Sequence, residues 1–309
     1  MIETLLLNWL AFTPVFATPL MLAAVGLIIN ERAGVLNLGA EGMMMVGALT
    51  GVILSFHTAQ PWLGILCAAL AGGALAAVFA AAVVVFRANQ VVAGLITVAL
   101  GAGLAGLIGP PYSQKPIAAF ERLDLGPLTE LPWLGRILFN QDPLLYLSLL
   151  LVAATGWVLF RTRLGLRLRA CGESPETADA AGVDVQAMRL AAVVAGGMFC
   201  GLAGGYLSLA ASQVWVEGMT GGRGWIAIAL VIFAAWRPWR AVLGALLFGG
   251  IVALIPRIQA TGVSVPTFLL MMLPYLATLL VLLLVALRGR TAAQAPDALG
   301  RDYAREDRQ

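Results

Sequence analysis

Long apolar runs recur along this chain, at about 10–29, 38–56, 62–86, 90–109, 143–160, 189–211, 224–236, 241–256 and 266–287. An α-helix needs about 20 apolar residues to cross roughly 30 Å of hydrocarbon. The runs are continuous rather than alternating, which excludes a transmembrane β-barrel. Only 11% of the residues are charged, against roughly a quarter in a soluble domain. The expected fold class is therefore an all-α polytopic transmembrane helical bundle of about 8–10 membrane segments. Segments 224–236 and 241–256 are short and read as half-helices or re-entrant pieces, tolerated only when buried in protein. Pro14 and Pro19 in the first segment and Pro274 in the last predict kinks.

Arginine sets the orientation. The connector 161–188 opens with Arg161, Arg163, Arg167 and Arg169, so the positive-inside rule puts it in the cytoplasm. Arg87, Arg237, Arg240, Arg288 and Arg290 then also fall inside, and the loop 110–142 falls outside. Glu31 and Arg32 nearly cancel, which leaves the side of residue 1 open. The transmembrane domain spans 1–287, and the polar tail 288–309 reads as disordered. MIETLLLNWL lacks a basic n-region and is not expected to be a cleaved signal peptide. The basic residues sit in connectors and form no face for nucleic acid.

Small residues predict the packing. Gly197, Gly201 and Gly205 lie at four-residue spacing, as do Gly47 and Gly51, and each series clears one helix face for a close neighbour. The outer loop carries five prolines up to Pro132 and then Trp133. It either docks an external partner or caps the helices.

No enzymatic set emerges. There is no phosphate-binding G-x-x-x-x-G-K-[ST], the single lysine is Lys115, and the single histidine, His57, sits in a short connector. Cys67, Cys171 and Cys200 lack metal-ligand spacing and read as small apolar residues without a disulfide. Energy for any transport cycle must come from an ion gradient or a separate subunit.

Two stretches carry the functional reading. In NERAGVLNLGAEGMMM, Gly34, Gly39 and Gly42 permit unwound backbone around Asn37 and Glu41, as in the discontinuous helices of transporters. EGMTGGRGWIAIALVIFAA repeats the theme with Arg223, and Glu41 and Arg223 are expected to balance one another across a solute pathway. Asn37, Gln90 and Gln213 offer hydrogen bonds to a polar cargo, and Trp215 or Trp225 a stacking surface. In the cytoplasmic connector, Ser174 is an N-cap, Pro175 the first helical residue, Glu176 a first-turn acid and Gly182 the residue closing the helix. This spacing predicts a rigid helix of about two turns over Pro175, Glu176, Thr177, Ala178, Asp179, Ala180 and Ala181, suited to receiving a push from a soluble partner.

These stretches, with FRANQVVAGLITVAL and GRGWIAIALVIFAAWRPWRAVLGALLFG, resemble the permease subunits of bacterial ABC importers. The resemblance is to the branched-chain amino acid and ribose-type permease superfamily, in its nucleoside and simple-sugar branch, over residues 20–287. It implies a type II-like fold in the inner membrane and a second, homologous permease. It further implies a cytoplasmic ATPase with two fused nucleotide-binding modules that carries ATP and Mg, and an external substrate-binding lipoprotein. The helix near 175–181 would be the coupling helix. A simple-sugar cargo is the first alternative. A stand-alone transporter with Glu41 as a proton site is the second.

Overall fold

In the computed structural model, the described residues are 2–123, 126–129, 131, 133, 135–260, 269, 272–277, 279–280, 283 and 295–304. They contain ten α-helices: α1 (Ile2–Arg32), α2 (Ala40–Thr58), α3 (Pro61–Ala80), α4 (Gln90–Ile108), α5 (Pro143–Arg161), α6 (Arg163–Glu173), α7 (Pro175–Ala180), α8 (Val185–Tyr206), α9 (Arg223–Phe233) and α10 (Pro238–Ala260). Seven of them, α1–α5, α8 and α10, are long and apolar enough to cross a membrane, α3 and α8 being lengthened by π-helical turns at Ala81–Val85 and Leu207–Ala211. Most of the ninth apolar segment, 266–287, lies outside the described residues.

The hub is α8. Its glycine series faces α3, where a Cβ on Gly201 would collide with the Ala68 carbonyl and come within 3.0 Å of Gly72 Cα. From the other side, Gly47 of α2 lies against the Gly201 backbone, its would-be Cβ 2.6 Å from Gly201 Cα. Three backbones therefore meet where no side chain intervenes, as the four-residue spacing predicts. Gly196 extends the close packing to α1 at Gly26 and Asn30.

Two expectations fail. Segment 241–256 is no half-helix: α10 runs through 23 residues with Pro256 inside it. Its ends are polar, so hydropathy under-reads them. Arg257 folds back to the carbonyls of Ala253 (3.1 Å) and Asn8 (3.2 Å) instead of ending the span. Residues 295–304 are also not a loose tail. They form a turn docked on α6, with Ala298 buried and its N–H donating to Gly172 O at 2.9 Å.

The side of the first helix follows from contacts. Arg32, closing α1, lies 3.6 Å from Glu173 at the end of α6, inside the arginine-rich connector. The start of α1 therefore lies at the end of the bundle away from that connector. Trp9 Nε1 donates to Gly250 O (2.7 Å), midway along α10.

Candidate functional site

Backbone that leaves helical form inside a bilayer must find hydrogen-bond partners within the protein. Two such breaks meet in this chain. The first is residues 33–39, which climb beside α4. Leu36 N donates to Gln90 Oε1 at 2.7 Å, Leu38 lies at Gly94, and Gly39 lies at Thr97. Thr97 is seven residues up α4, which at about 1.5 Å per residue puts the start of α2 about 10 Å above Gln90. The second break follows α8. Gln213 and Trp215 lie beside the stretch 112–120, where Gln114 N donates to Trp215 O at 3.0 Å. The chain then turns through Gly218, Gly221 and Gly222, all at positive φ, to start the eleven-residue half-helix α9.

The breaks are joined by Glu41. Its carboxylate, 4% exposed, accepts from Gly222 N (Oε1, 2.8 Å) and Gly224 N (Oε2, 2.6 Å). These N–H groups belong to the first turn of α9, where no helical carbonyl precedes them. The positive end of the helix dipole favours a carboxylate there. Gly224 has no side chain because a Cβ would lie 2.5 Å from Glu41 N.

The expected Glu41–Arg223 balance is thus achieved differently. Arg223 Nη1 donates to the carbonyls of Met219 (2.9 Å) and Thr220 (3.0 Å), closing the glycine-rich turn. It is Glu41 that holds the backbone on either side of Arg223. Asn37 is similarly committed: Oδ1 accepts from Gly39 N at 2.9 Å, and the amide lies 3.6 Å from Met43 Sδ. Gln213 donates to Phe120 O (3.3 Å), away from this centre. Trp215 is buried against Gly109, so its face is not open for stacking, whereas Trp225 is 39% exposed. Of the expected pathway residues, Arg223 lines a cavity of about 410 Å³ between α1, α9 and α10, with Phe16, Ile226, Val252 and Tyr275.

The predicted short helix is present as α7. Ser174 caps it, with Oγ accepting from Thr177 N at 3.4 Å, Pro175 opens it, and Gly182 follows at φ +81°. Pro175 and Ala178 are buried, while Glu176, Thr177, Ala180, Ala181 and Gly182 are exposed. Ahead of it, α6 is a helix that the arginine count hides. Its signals are Thr162 as N-cap, with Oγ1 accepting from Gly165 N at 3.2 Å, and Leu168 turned inward.

Cys171 lies in α6, within the polar connector. It is buried with Ala178 and Val185 in a small core separate from the main bundle. Burial raises its thiol above the ordinary value, ahead of the opposing effect of Arg189. Because the thiolate is the reactive form, peptide-resolved maleimide labelling at neutral pH should modify Cys171 far more slowly in the folded chain than after denaturation, and should accelerate as pH rises.

Further residues carry weight that sequence reasoning did not assign. Glu31 Oε2 accepts from Trp236 Nε1 at 2.6 Å, tying the end of α1 to the end of α9. Asp142 caps α5 and accepts from Tyr206 Oη at 2.7 Å. Arg189, 4% exposed, donates from Nε to Ala33 O (3.1 Å) and from Nη1 to Arg301 O (3.0 Å). No single signal in the sequence pairs these groups, which lie up to 205 positions apart.

Among the described residues, seven helices long enough to cross a membrane surround two opposed backbone breaks, with a short capped helix beneath them, as in a multi-pass membrane transport component. The chain belongs to the branched-chain amino acid transport system / permease component family, which matches residues 9–287. It is 43% identical to a putative glucose ABC transporter permease protein, TsgC13, of Haloferax volcanii, over 94% of this chain and 95% of that one. It is 36% identical to the guanosine ABC transporter permease protein NupQ of Bacillus subtilis, over 94% of each chain. The nucleoside ABC transporter permease protein NupC of Lactococcus lactis is likewise 36% identical over 94% of each. No solved structure matches the chain.

Proposed function

We propose that this chain is one of two membrane subunits of an ATP-driven importer that moves an uncharged polar solute, a nucleoside, into the cell. The observation that carries the cargo class is the Glu41 plug. A half-helix N-terminus inside a membrane is a ready site for the carboxylate of an anionic substrate, and here Glu41 already occupies it through Gly222 N and Gly224 N. An amino acid or organic acid would meet a carboxylate there. A nucleoside or sugar would meet no charge penalty. The nucleoside relatives favour a nucleoside, and the glucose relative favours a sugar as the second reading. Asn37, Glu41 and Gln90 serve in this reading as the frame of the pathway, Arg223 and Trp225 as groups available to its lining, and Gln213, bonded to Phe120 O, as a polar group at its outer mouth.

ATP and Mg sit on a cytoplasmic ATPase that docks on α7. An external binding protein delivers the cargo, and a second permease completes the channel. Support for the ATPase contact is the geometry of α7, whose capped ends and buried Pro175–Ala178 face leave the opposite face outward. Ala181→Pro removes the N–H that donates to Thr177 O at 3.1 Å and pushes Ala180 away from helical backbone. The variant should insert in normal amounts but hydrolyse ATP without uptake when reconstituted with its partners. Cargo is tested by uptake of labelled guanosine, uridine and glucose in a strain lacking this chain. Loss of nucleoside uptake alone is expected. Loss of glucose uptake with nucleoside uptake intact overturns the nucleoside reading in favour of the sugar.

A further inference from the structure

The C-terminal segment 295–304 lies where three cytoplasmic pieces converge. Ala298 N donates to Gly172 O of α6 at 2.9 Å, and two residues on Gly300 N donates to Gly34 O of the first backbone break at 3.1 Å. Arg189, at the start of α8, closes the third side through Arg301 O (3.0 Å), Ala33 O (3.1 Å) and Cys171 O (3.5 Å). The fit needs glycine on both faces. Gly34 has φ +88°, and a Cβ there would lie 2.8 Å from Arg189 Nη2, 3.3 Å from Ala298 O and 3.3 Å from Gly172 Cα. Further along, Tyr303 packs on the small core of Cys171, Ala178 and Val185, of which Ala178 is the buried face of α7. Tyr303 and Ala304 then wall a cytoplasmic groove of about 430 Å³ with Val85 and Arg87, beyond α3, and Asp179 and Asp184, flanking the α7–α8 turn.

We propose that residues 295–304 are a working part of the coupling apparatus, forming a clasp that joins α7 to the 33–39 break and one wall of the surface that takes the ATPase. This inference rests on the reading of α7 as the ATPase-docking helix. A six-residue helix has little stability of its own, so a push on α7 reaches the membrane only if its base is fixed. The clasp fixes it: the path runs from Ala178 to Tyr303, back along the segment to Gly300, across to Gly34, and through 33–39 to Glu41 and the start of α9. The occupant of the groove is the ATPase because the groove adjoins α7 and opens beside its exposed residues.

The test uses the assembled importer in proteoliposomes. Ala298→Pro removes the N–H bonded to Gly172 O, Tyr303→Ala removes the ring from the small core, and Tyr303→Phe keeps it. The first two should lower the amount of solute moved per ATP hydrolysed at least ten-fold with the chain present in normal amounts, and Tyr303→Phe should restore it to within two-fold of the parent. A benzoylphenylalanine placed at Ala304 should photocross-link to the ATPase, whereas one at Leu107, on the perimeter of α4, should not. Parent-like coupling in both Ala298→Pro and Tyr303→Ala, or no cross-link from position 304, overturns the inference. If Ala181→Pro uncouples while the tail variants do not, only the clasp is lost. If Ala181→Pro is itself silent, the ATPase reading of α7 falls with it.

Discussion

Gly201→Leu should leave almost no assembled protein. At this position α8 is held between α3 and α2, with the Ala68 carbonyl on one side and the Gly47 backbone on the other. The obstructing atoms are main chain, so no rotamer change makes room. Overpacking a core commonly costs about 1–3 kcal/mol when side chains can yield, and here whole helices must separate. Helix association in lipid rests on such close packing, because there is no hydrophobic drive between helices. Monodisperse yield, followed by fluorescence-detected size exclusion, should fall at least ten-fold. Gly103→Leu is the matched control: it adds the same side chain on α4, where a Cβ meets nothing within 4 Å, and its yield should stay within two-fold of the parent. Normal yield of the Gly201 variant would refute the three-helix contact.

The membrane bundle was legible in the sequence because a span needs a long apolar run, and hydropathy reports such runs even where, as in α10, it misses the polar ends. The capped helix α7 was legible because caps are local: Ser174, Pro175 and Gly182 specify a helix whatever surrounds them. The roles of Asn37, Glu41 and Gln90 were not legible, for a physical reason. A polar side chain in an apolar chain either meets cargo or repairs the backbone where a helix is broken, and both leave the same residue types beside the same glycines. The difference lies in partners such as Gly222, 181 positions from Glu41, and no local pattern encodes that distance. The docked tail was illegible for a related reason. Its fastening uses the main-chain N–H groups of Ala298 and Gly300, which composition does not report, so a polar segment of that kind reads as disordered. Arg189 looks like one more positive-inside residue although its guanidinium is buried against three carbonyls.

Glu41→Ala should abolish uptake while leaving the seven long spans inserted. The substitution strips the acceptor from two N–H groups at the start of α9 and leaves the positive helix end without its counter-charge. Each buried donor left unpaired costs about 1–3 kcal/mol, concentrated at the joint between the two backbone breaks. Glu41→Gln keeps one acceptor oxygen but turns an NH₂ group toward the other N–H, so it should retain under a tenth of parental uptake. A small carboxylate supplied from outside is the informative addition: millimolar formate should restore part of the uptake in Glu41→Ala by occupying the vacated helix terminus, and formamide should not. A proton-carrying Glu41 predicts a different pattern. Parental uptake would then collapse with a protonophore at constant ATP, and Glu41→Gln would keep solute exchange while losing accumulation. If the plug is structural, a protonophore leaves parental uptake unchanged at constant ATP, and Glu41→Gln loses exchange and accumulation together, because the joint rather than a proton site has been weakened.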